Sequence, residues 1–185
     1  VRPLGGVNIG TLIYEAQQQG FQIKDGTRPV LSPEEIETRR RKREEEQAQG
    51  EAERKRIHGE RAKLANLTWS AAHPATPDHP YLHAKRVRAH GLAIGEWPLI
   101  NDEGEVFRHV PGALLVPIMD AKNGKIISLQ GVWEDYEGKV QKRYLKGARK
   151  SGGCLMIGQP PKPGDILVFC EGYATGATIH ELTGW

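Results

Sequence analysis

A single glutamate, Glu171, has the sequence surroundings of a residue that takes part in chemistry. It directly follows the apolar run of residues 165–170, and Gly172 separates it from a helical pattern at residues 175–182. The run predicts a central strand of a parallel sheet, and in open α/β sheets ligands bind beyond the carboxyl ends of strands. A carboxylate there can reach a metal ion or a reacting phosphate, beside the free amides of a helix start. Taken alone, these residues fit equally well a glutamate that caps the helix or is solvated.

A stretch of basic residues without an intervening acidic residue runs from position 139 to position 150. Such a stretch supplies sequence-independent affinity for the phosphates of a single strand, although an exposed loop with solvated lysines is the alternative. The formal net charge of the whole chain is only +3, which permits a nucleic-acid partner without requiring one. We predict contact with nucleic acid or nucleotide for Lys142, Arg143, Lys146, Arg149 and Lys150.

Histidines and cysteines offer a weaker case for a metal site. His79 and His83 have the spacing of two ligands on one face of a helix, but no third ligand has an obvious place and HExxH is absent, so surface or packing roles are favoured. Cys154 and Cys170 form no CxxC pair, which argues against a zinc ribbon. The sequence indicates a reduced cytoplasmic protein, because no segment looks like a signal peptide or a membrane span.

Residues 32–67 predict a long charged helix that projects from the folded body or packs along it. Ser32 and Glu35 form a capping box around Pro33, and acidic and basic residues are interleaved along the rest. The mixed signs favour a solvated spacer, and a basic arm that binds nucleic acid is the alternative. The apolar side chains available to contact a folded body are Ile36, Ile57 and Leu64.

Short strands and turns dominate the chain after residue 104. Strands are predicted at residues 105–110, 113–118, 125–133, 140–145 and 155–157. The turn signal at 120–124 makes the second and third of these a hairpin, and Pro117 indicates an edge or a bulge. We therefore expect an α+β fold, in which a small antiparallel meander from about 104 to 157 leads into the parallel strand at 165–170 and its helix.

The predicted organisation has four segments. They are a small N-terminal element at 1–31, the charged helix at 32–67, a mixed subdomain at 68–164, and the incomplete start of an α/β domain at 165–185. Within them, residues 11–16 read as a short helix or strand, residues 20–24 as a strand before the Asp25-Gly26 turn, and residues 78–88 as a short helix. An incomplete sheet leaves the strand at 165–170 with an open edge, so self-association of the chain is a further expectation.

The ordered motifs resemble the Toprim domains of primases from phages, plasmids and other mobile elements. The residues that carry the resemblance are ILVFCEGYATGATIHELTG from position 166, preceded by KRYLKGARKSGG, by ALLVPIMDAKNGKIISLQGVW and by DHPYLHAKRVRAHGL. The resemblance covers residues 78–185, and the order of the motifs is more specific than any one of them.

This resemblance implies roles for particular residues. Glu171 matches the motif glutamate, which serves as general acid/base or helps to organise divalent metal, so Mg²⁺ or Mn²⁺ is the implied cofactor. Arg143 matches a basic position that contacts template or triphosphate. The chain departs from the pattern at Val132, where replicative primases carry arginine, and no Asp-x-Asp metal-binding pair occurs in it.

The implied function is part of a DNA primase, which makes short primers on single-stranded DNA by metal-dependent nucleotidyl transfer from nucleoside triphosphates. A replicative helicase is an implied partner. We expect the chain by itself to be inactive, since one carboxylate does not assemble a two-metal site. The alternatives are a single-stranded nucleic-acid-binding module without chemistry, and a Toprim nuclease, against which the DHPYL and YLKG segments argue.

Overall fold

The computed structural model of the chain describes residues 9–21 and 32–185. The chain divides into two compact units after Gln49. The strand predicted at 20–24 and the Asp25-Gly26 turn fall mostly outside the described residues. None of the described helices combines the length and the apolar character that a membrane span needs.

The first unit is helical where the structure describes it. It holds α1 (Ile9–Gln18), so the apolar residues at 11–16 are helical, and the first part of α2 (Pro33–Ser70). The capping box at the start of α2 is confirmed: the Ser32 amide donates to Glu35 Oε2 at 2.8 Å, and the Glu35 amide donates to Ser32 Oγ at 3.2 Å. Hydrogen bonding of the Glu35 carboxylate to the Ser32 amide, and next to the Ser32 hydroxyl, holds the pKa of Glu35 below its ordinary value.

The charged helix is three residues longer than predicted at its C-terminal end, and ion pairs one turn apart line it. Arg56, for example, lies 2.7 Å from Glu53 and 2.5 Å from Glu60. Such exposed pairs support the helix only weakly, because water and salt screen the two charges. Of the three apolar residues expected to contact a body, Leu64 packs in the core of the second unit and Ile57 lies beside Gly147. Ile36, which belongs to the first unit, is exposed.

The second unit is built on an antiparallel sheet that confirms the predicted α+β class. Its strands are β1 (His73–Pro74), β2 (Ala93–Ile100), β3 (Val106–Asp120), β4 (Ile126–Glu134), β5 (Val140–Tyr144) and β6 (Gly153–Cys154). The order is β1-β2-β3-β4-β5, with β6 paired to β3. The β3–β4 hairpin and the β4–β5 pairing follow the prediction.

Both faces of this sheet are covered. On the first, the α4 face, Leu114, Val116 and Val132 pack with Tyr81, Leu82 and Ala177 from two helices, α3 (Pro80–Lys85) and α4 (Tyr173–Thr183). On the second, the α2 face, Trp97, Leu115 and Leu129 pack with Ala65 of α2. Gly131 of β4 belongs to the α2 face, because a Cβ there would overlap the Trp97 ring.

The strands differ from the prediction at several points. β2 was not predicted, β3 is one strand instead of two, and β6 lies at 153–154 instead of 155–157. Pro117 lies in central strand β3, between Leu115, where pairing with β2 stops, and Met119, where pairing with β6 begins. A register shift follows at Ile118/Met119, so Pro117 lies at a locally unpaired edge of β3 and next to a bulge, and the structure agrees with both alternatives of the prediction.

The predicted parallel strand at 165–170 is wrong for this structure. These residues form no ladder, and the large side chains of 166–169 are exposed, from 38% for Val168 to 88% for Phe169. The physical reason is that a parallel strand needs neighbouring strands, and among the described residues none lies beside this segment. The helix that follows is confirmed as α4, which ends at Gly184 in the left-handed conformation with φ 78°.

Candidate functional site

Glu171 lies on the surface of the second unit, immediately before the N-terminus of α4. It is exposed in a bend, and Gly172 is the residue that precedes the helix. Gly176, the second glycine of the motif, lies in the first turns of α4 against the Cys170 sulfur, which a Cβ would approach to 2.8 Å. Gly176 therefore lets α4 pack closely on Cys170, whereas Gly172 has extended backbone that any residue can adopt and open space around it.

A large cleft of about 1350 Å³ opens beside Glu171. One wall is the α4 face of the sheet, represented by Val116, Gln130 and Tyr144, and the other is the segment from 154 to 173 with the start and end of α4. Glu171 lines this cleft together with Tyr144. The exposed apolar residues 166–169 line it too, so most of that wall is apolar.

Side chains of α4 fix the helix to the loop after α3. The Tyr173 hydroxyl donates to the carbonyl of Arg88, while Glu181 Oε1 accepts from the Arg88 amide at 2.8 Å and contacts His90 Nε2 at 2.6 Å. These bonds, the Arg88 amide first, lower the pKa of Glu181, and burial raises the pKa of Tyr173. The tyrosine of the EGYATG motif is thus a structural anchor that sets the position of α4, and with it Glu171.

The predicted basic stretch is divided by the structure into two groups. Lys142 and Tyr144 project from the α4 face of β5, because they pair with Val132 and Gln130. Arg143 pairs with Gly131 and projects from the α2 face. Alternation along a strand separates neighbours in this way. The five residues therefore do not form one continuous surface.

The basic side chains also differ in what they contact. Lys146 lies 2.6 Å from Asp102, and Arg149 forms an ion pair with Asp120. A hydrogen bond from Lys146 lowers the pKa of Asp102. For Asp120, the hydrogen bond from the Lys122 amide lowers the pKa most, and the one from Arg149 comes next. Lys142 and Lys150 instead lie over aromatic rings, 4.7 Å from the centroid of Tyr81 and 5.0 Å from that of Tyr144. The carboxylates offset the charge of the first pair, whereas the neutral rings leave the second pair charged.

The two histidines with metal-ligand spacing have separate roles. His79, not Asp78, is the N-cap of α3: its Nδ1 accepts the Tyr81 amide at 3.2 Å, which leaves Nε2 to donate to the Gly112 carbonyl at 3.2 Å. Burial lowers the pKa of His79, in keeping with this neutral form. His83 is exposed on α3, and the helix ends at Lys85 instead of reaching residue 88, because Arg86 is left-handed with φ 55°.

The described residues do not assemble a metal site around Glu171. No group of three or more histidine, cysteine, aspartate or glutamate side chains within 9–21 and 32–185 is placed to hold an ion. Magnesium takes near-octahedral oxygen coordination, usually with one or two carboxylates, substrate phosphates and water. One exposed carboxylate therefore does not fit a complete Mg²⁺ or Mn²⁺ site, and no catalytic step is assigned to a metal in this chain.

Two features of the site escaped sequence reasoning. One is Tyr81, whose hydroxyl accepts a hydrogen bond from Lys142 Nζ at 3.0 Å across 61 positions of sequence. The other is the pair of α4 contacts to Arg88, made by Tyr173 and Glu181. No local spacing signals either one, because the first depends on how β5 meets α3 and the second on how α4 meets the loop after α3.

The second unit is an α+β body with an antiparallel sheet, a large cleft, and two lysines that lie over tyrosine rings. The chain is 31% identical over 134 residues to DNA primase TraC of Escherichia coli, a match that covers 71% of this chain and 11% of that protein. This similarity supports a relationship to primases, and the chain spans about a tenth of the relative's length. No protein-family model and no solved structure matches the chain.

Proposed function

We propose that this chain is part of a DNA primase that synthesises short primers on single-stranded DNA. The observation that carries the proposal is the 31% identity to DNA primase TraC over 71% of the chain. The position of Glu171 supports it, since an exposed carboxylate lines a large cleft at a helix N-terminus. The chain spans a tenth of the relative, so the activity is proposed for a longer protein that contains it.

In this proposal Glu171 acts on the reacting groups of nucleotidyl transfer. A primer 3′-hydroxyl attacks the α-phosphate of a nucleoside triphosphate and pyrophosphate leaves, so the hydroxyl must lose a proton to a base. Glu171 is the proposed base, or a contributor to a site for Mg²⁺ or Mn²⁺ that other parts of the longer protein complete. A Toprim arrangement of those parts, a helicase partner and self-association remain predictions.

The template is proposed to follow the edge of the cleft where cations and rings alternate. Lys142 and Lys150 supply charge for phosphates, and the half-exposed Tyr144 supplies a ring for a base. Single-stranded nucleic acids bind such combinations of charge and aromatic surface without sequence preference. Lys146 and Arg149 contribute less in this proposal, because Asp102 and Asp120 already offset their charge.

The second candidate is a single-strand-binding module that performs no chemistry. The lysines that lie over tyrosine rings favour it, since such contacts bind single strands without any reaction. Both candidates predict binding to single-stranded DNA, and they differ only in whether Glu171 is needed for a reaction.

The deciding experiment replaces Glu171 with glutamine in a longer primase that contains this chain. Primer synthesis on a single-stranded template should fall by at least about a hundredfold, because a general base is lost, while oligonucleotide binding stays within about twofold. Glu137→Gln, in the exposed turn before β5, is the matched control and should retain synthesis. Full synthesis by Glu171→Gln would remove the catalytic role, and binding without any synthesis by the unmodified protein would favour the module.

A further inference from the structure

We infer that Tyr81 is a positioning residue that presents the Lys142 ammonium group to a phosphate. The inference rests on the proposed function, and it adds a residue from α3 to a surface that the sequence located only on β5. The Lys142 Nζ atom donates to the Tyr81 hydroxyl at 3.0 Å and lies 4.7 Å from the centroid of its ring. The hydroxyl and the ring of Tyr81 therefore both hold the ammonium group of Lys142.

Tyr81 is a rigid support for this contact. Its residue is only 6% exposed, and it packs in the core of the α4 face with Leu82, Leu114 and Val132. The preceding His79 fixes the backbone at Tyr81 by accepting its amide hydrogen. Lys142, by contrast, is an exposed residue on edge strand β5. The fixed tyrosine restricts a lysine side chain that would otherwise sample many rotamers.

Lys142 remains able to bind a phosphate group while it contacts Tyr81. A lysine ammonium has three hydrogens to donate, and the Tyr81 hydroxyl takes one of them. Two remain for phosphate oxygens. The phenol is neutral, so the positive charge is not offset as it is for Lys146 beside Asp102. Lys142 is thus held in place and still charged, which is what preorganised binding of an anion requires.

The ligand recognised here is a phosphate group, and two sources are compatible with the chemistry. One is the phosphodiester backbone of single-stranded DNA, and the other is the triphosphate of a nucleotide. A fluorescent oligothymidylate and ATP are therefore tested in separate titrations of the 185-residue chain. The ligand whose binding responds to the Tyr81 and Lys142 substitutions is the source.

The test is a double-mutant cycle of Tyr81→Phe and Lys142→Ala. Phenylalanine keeps the ring and removes only the hydroxyl, so binding should weaken roughly two- to tenfold while Lys142 is present. In the Lys142→Ala background the same substitution should have no further effect. Lys142→Ala alone should reduce the slope of log K against log salt by about 0.7, the value for one phosphate contact on a single strand. Tyr136→Phe, which removes a hydroxyl from a 96% exposed tyrosine, is the matched control.

Each result has a distinct meaning. If Tyr81→Phe weakens binding equally with and without Lys142, its role is structural and the inference is overturned. If Lys142→Ala weakens binding and Tyr81→Phe does not, Lys142 binds phosphate without positioning by Tyr81, and the inference again fails. If Lys142→Ala leaves binding and salt slope unchanged for both ligands, the proposed contact on β5 itself fails. Thermal unfolding of all five proteins, the Tyr136→Phe control included, checks that each variant is folded.

Discussion

Two apolar runs of similar composition take opposite positions in the second unit. Residues 113–118 lie in β3, where Ala113, Leu114 and Leu115 have no exposed surface. Residues 166–169 lie before α4, where every side chain is at least 38% exposed. Within this stretch β3 pairs with β2 up to Leu115 and with β4 from Leu114 to Ile118, while the later run has no strand partner among the described residues. Burial of an apolar run therefore depends on its neighbours as much as on its own residues.

The largest expected effect is on the free energy of unfolding, and one leucine from each run tests it. Leu114→Ala should lower the free energy of unfolding by about 2–5 kcal/mol, because it opens a cavity in a close-packed core. Leu167→Ala, with a side chain that is 53% exposed, should change it by less than about 0.5 kcal/mol. Urea unfolding of the chain, followed by circular dichroism, measures both. Equal losses would mean that the segment before α4 is buried in solution.

The elements that could be predicted are those whose signals are local. Ser32 and Glu35 lie three residues apart and cap α2, and Gly184 ends α4 in the conformation that glycine favours. The β3–β4 hairpin follows from apolar runs on either side of a turn. In each case the residues that determine the structure are neighbours in sequence, so the pattern is visible without knowledge of the fold.

The elements that could not be predicted depend on distant partners. β2 contains Gly95 and Pro98, which are unfavourable in a strand, but β1 pairs only with Ala93 and Ile94. Pro98 therefore lies where β2 is an edge among the described residues, and an edge tolerates a proline. The contact of Tyr81 with Lys142 likewise joins residues 61 positions apart. Conversely, residues 165–170 have the local pattern of a strand and lack the partners that would make one.

A smaller effect on stability is expected from the contacts of Glu181 that attach α4 to the loop after α3. The pKa of Glu181 is depressed in the folded chain, so its contribution to stability is present above its ordinary pKa of about 4.5 and is lost as the pH falls through the lower, folded value. The stability of the unmodified chain should therefore fall more steeply below about pH 5 than that of Glu181→Gln. Urea midpoints measured from pH 7 to pH 3 test this. Parallel profiles for the two proteins would show that the contacts of Glu181 with Arg88 and His90 do not contribute to stability in solution.

The two sides of the cleft differ in a way that bears on function. On the sheet side Tyr144 lines the cleft, with Lys150 over its ring, and the opposite side carries Glu171 after an exposed apolar segment. In the proposed primase, the first side binds the phosphates of a strand and the second side acts on the reacting groups. The binding half of this account concerns residues that the chain holds in full, so it can be tested without the rest of a longer protein.

The salt dependence of single-stranded DNA binding tests the central claim most directly. The chain is compared with two variants. The first replaces with alanine four of the predicted basic residues, Lys142, Arg143, Lys146 and Lys150. The control replaces with alanine four cations that pair with glutamates along α2, Arg40, Arg41, Lys42 and Arg56. Both variants lose the same charge. We predict weaker binding and a slope of log K against log salt that is smaller by about 0.7 for each lost phosphate contact in the first variant only. An unchanged slope in the first variant, or an equal reduction in the control, would contradict the account.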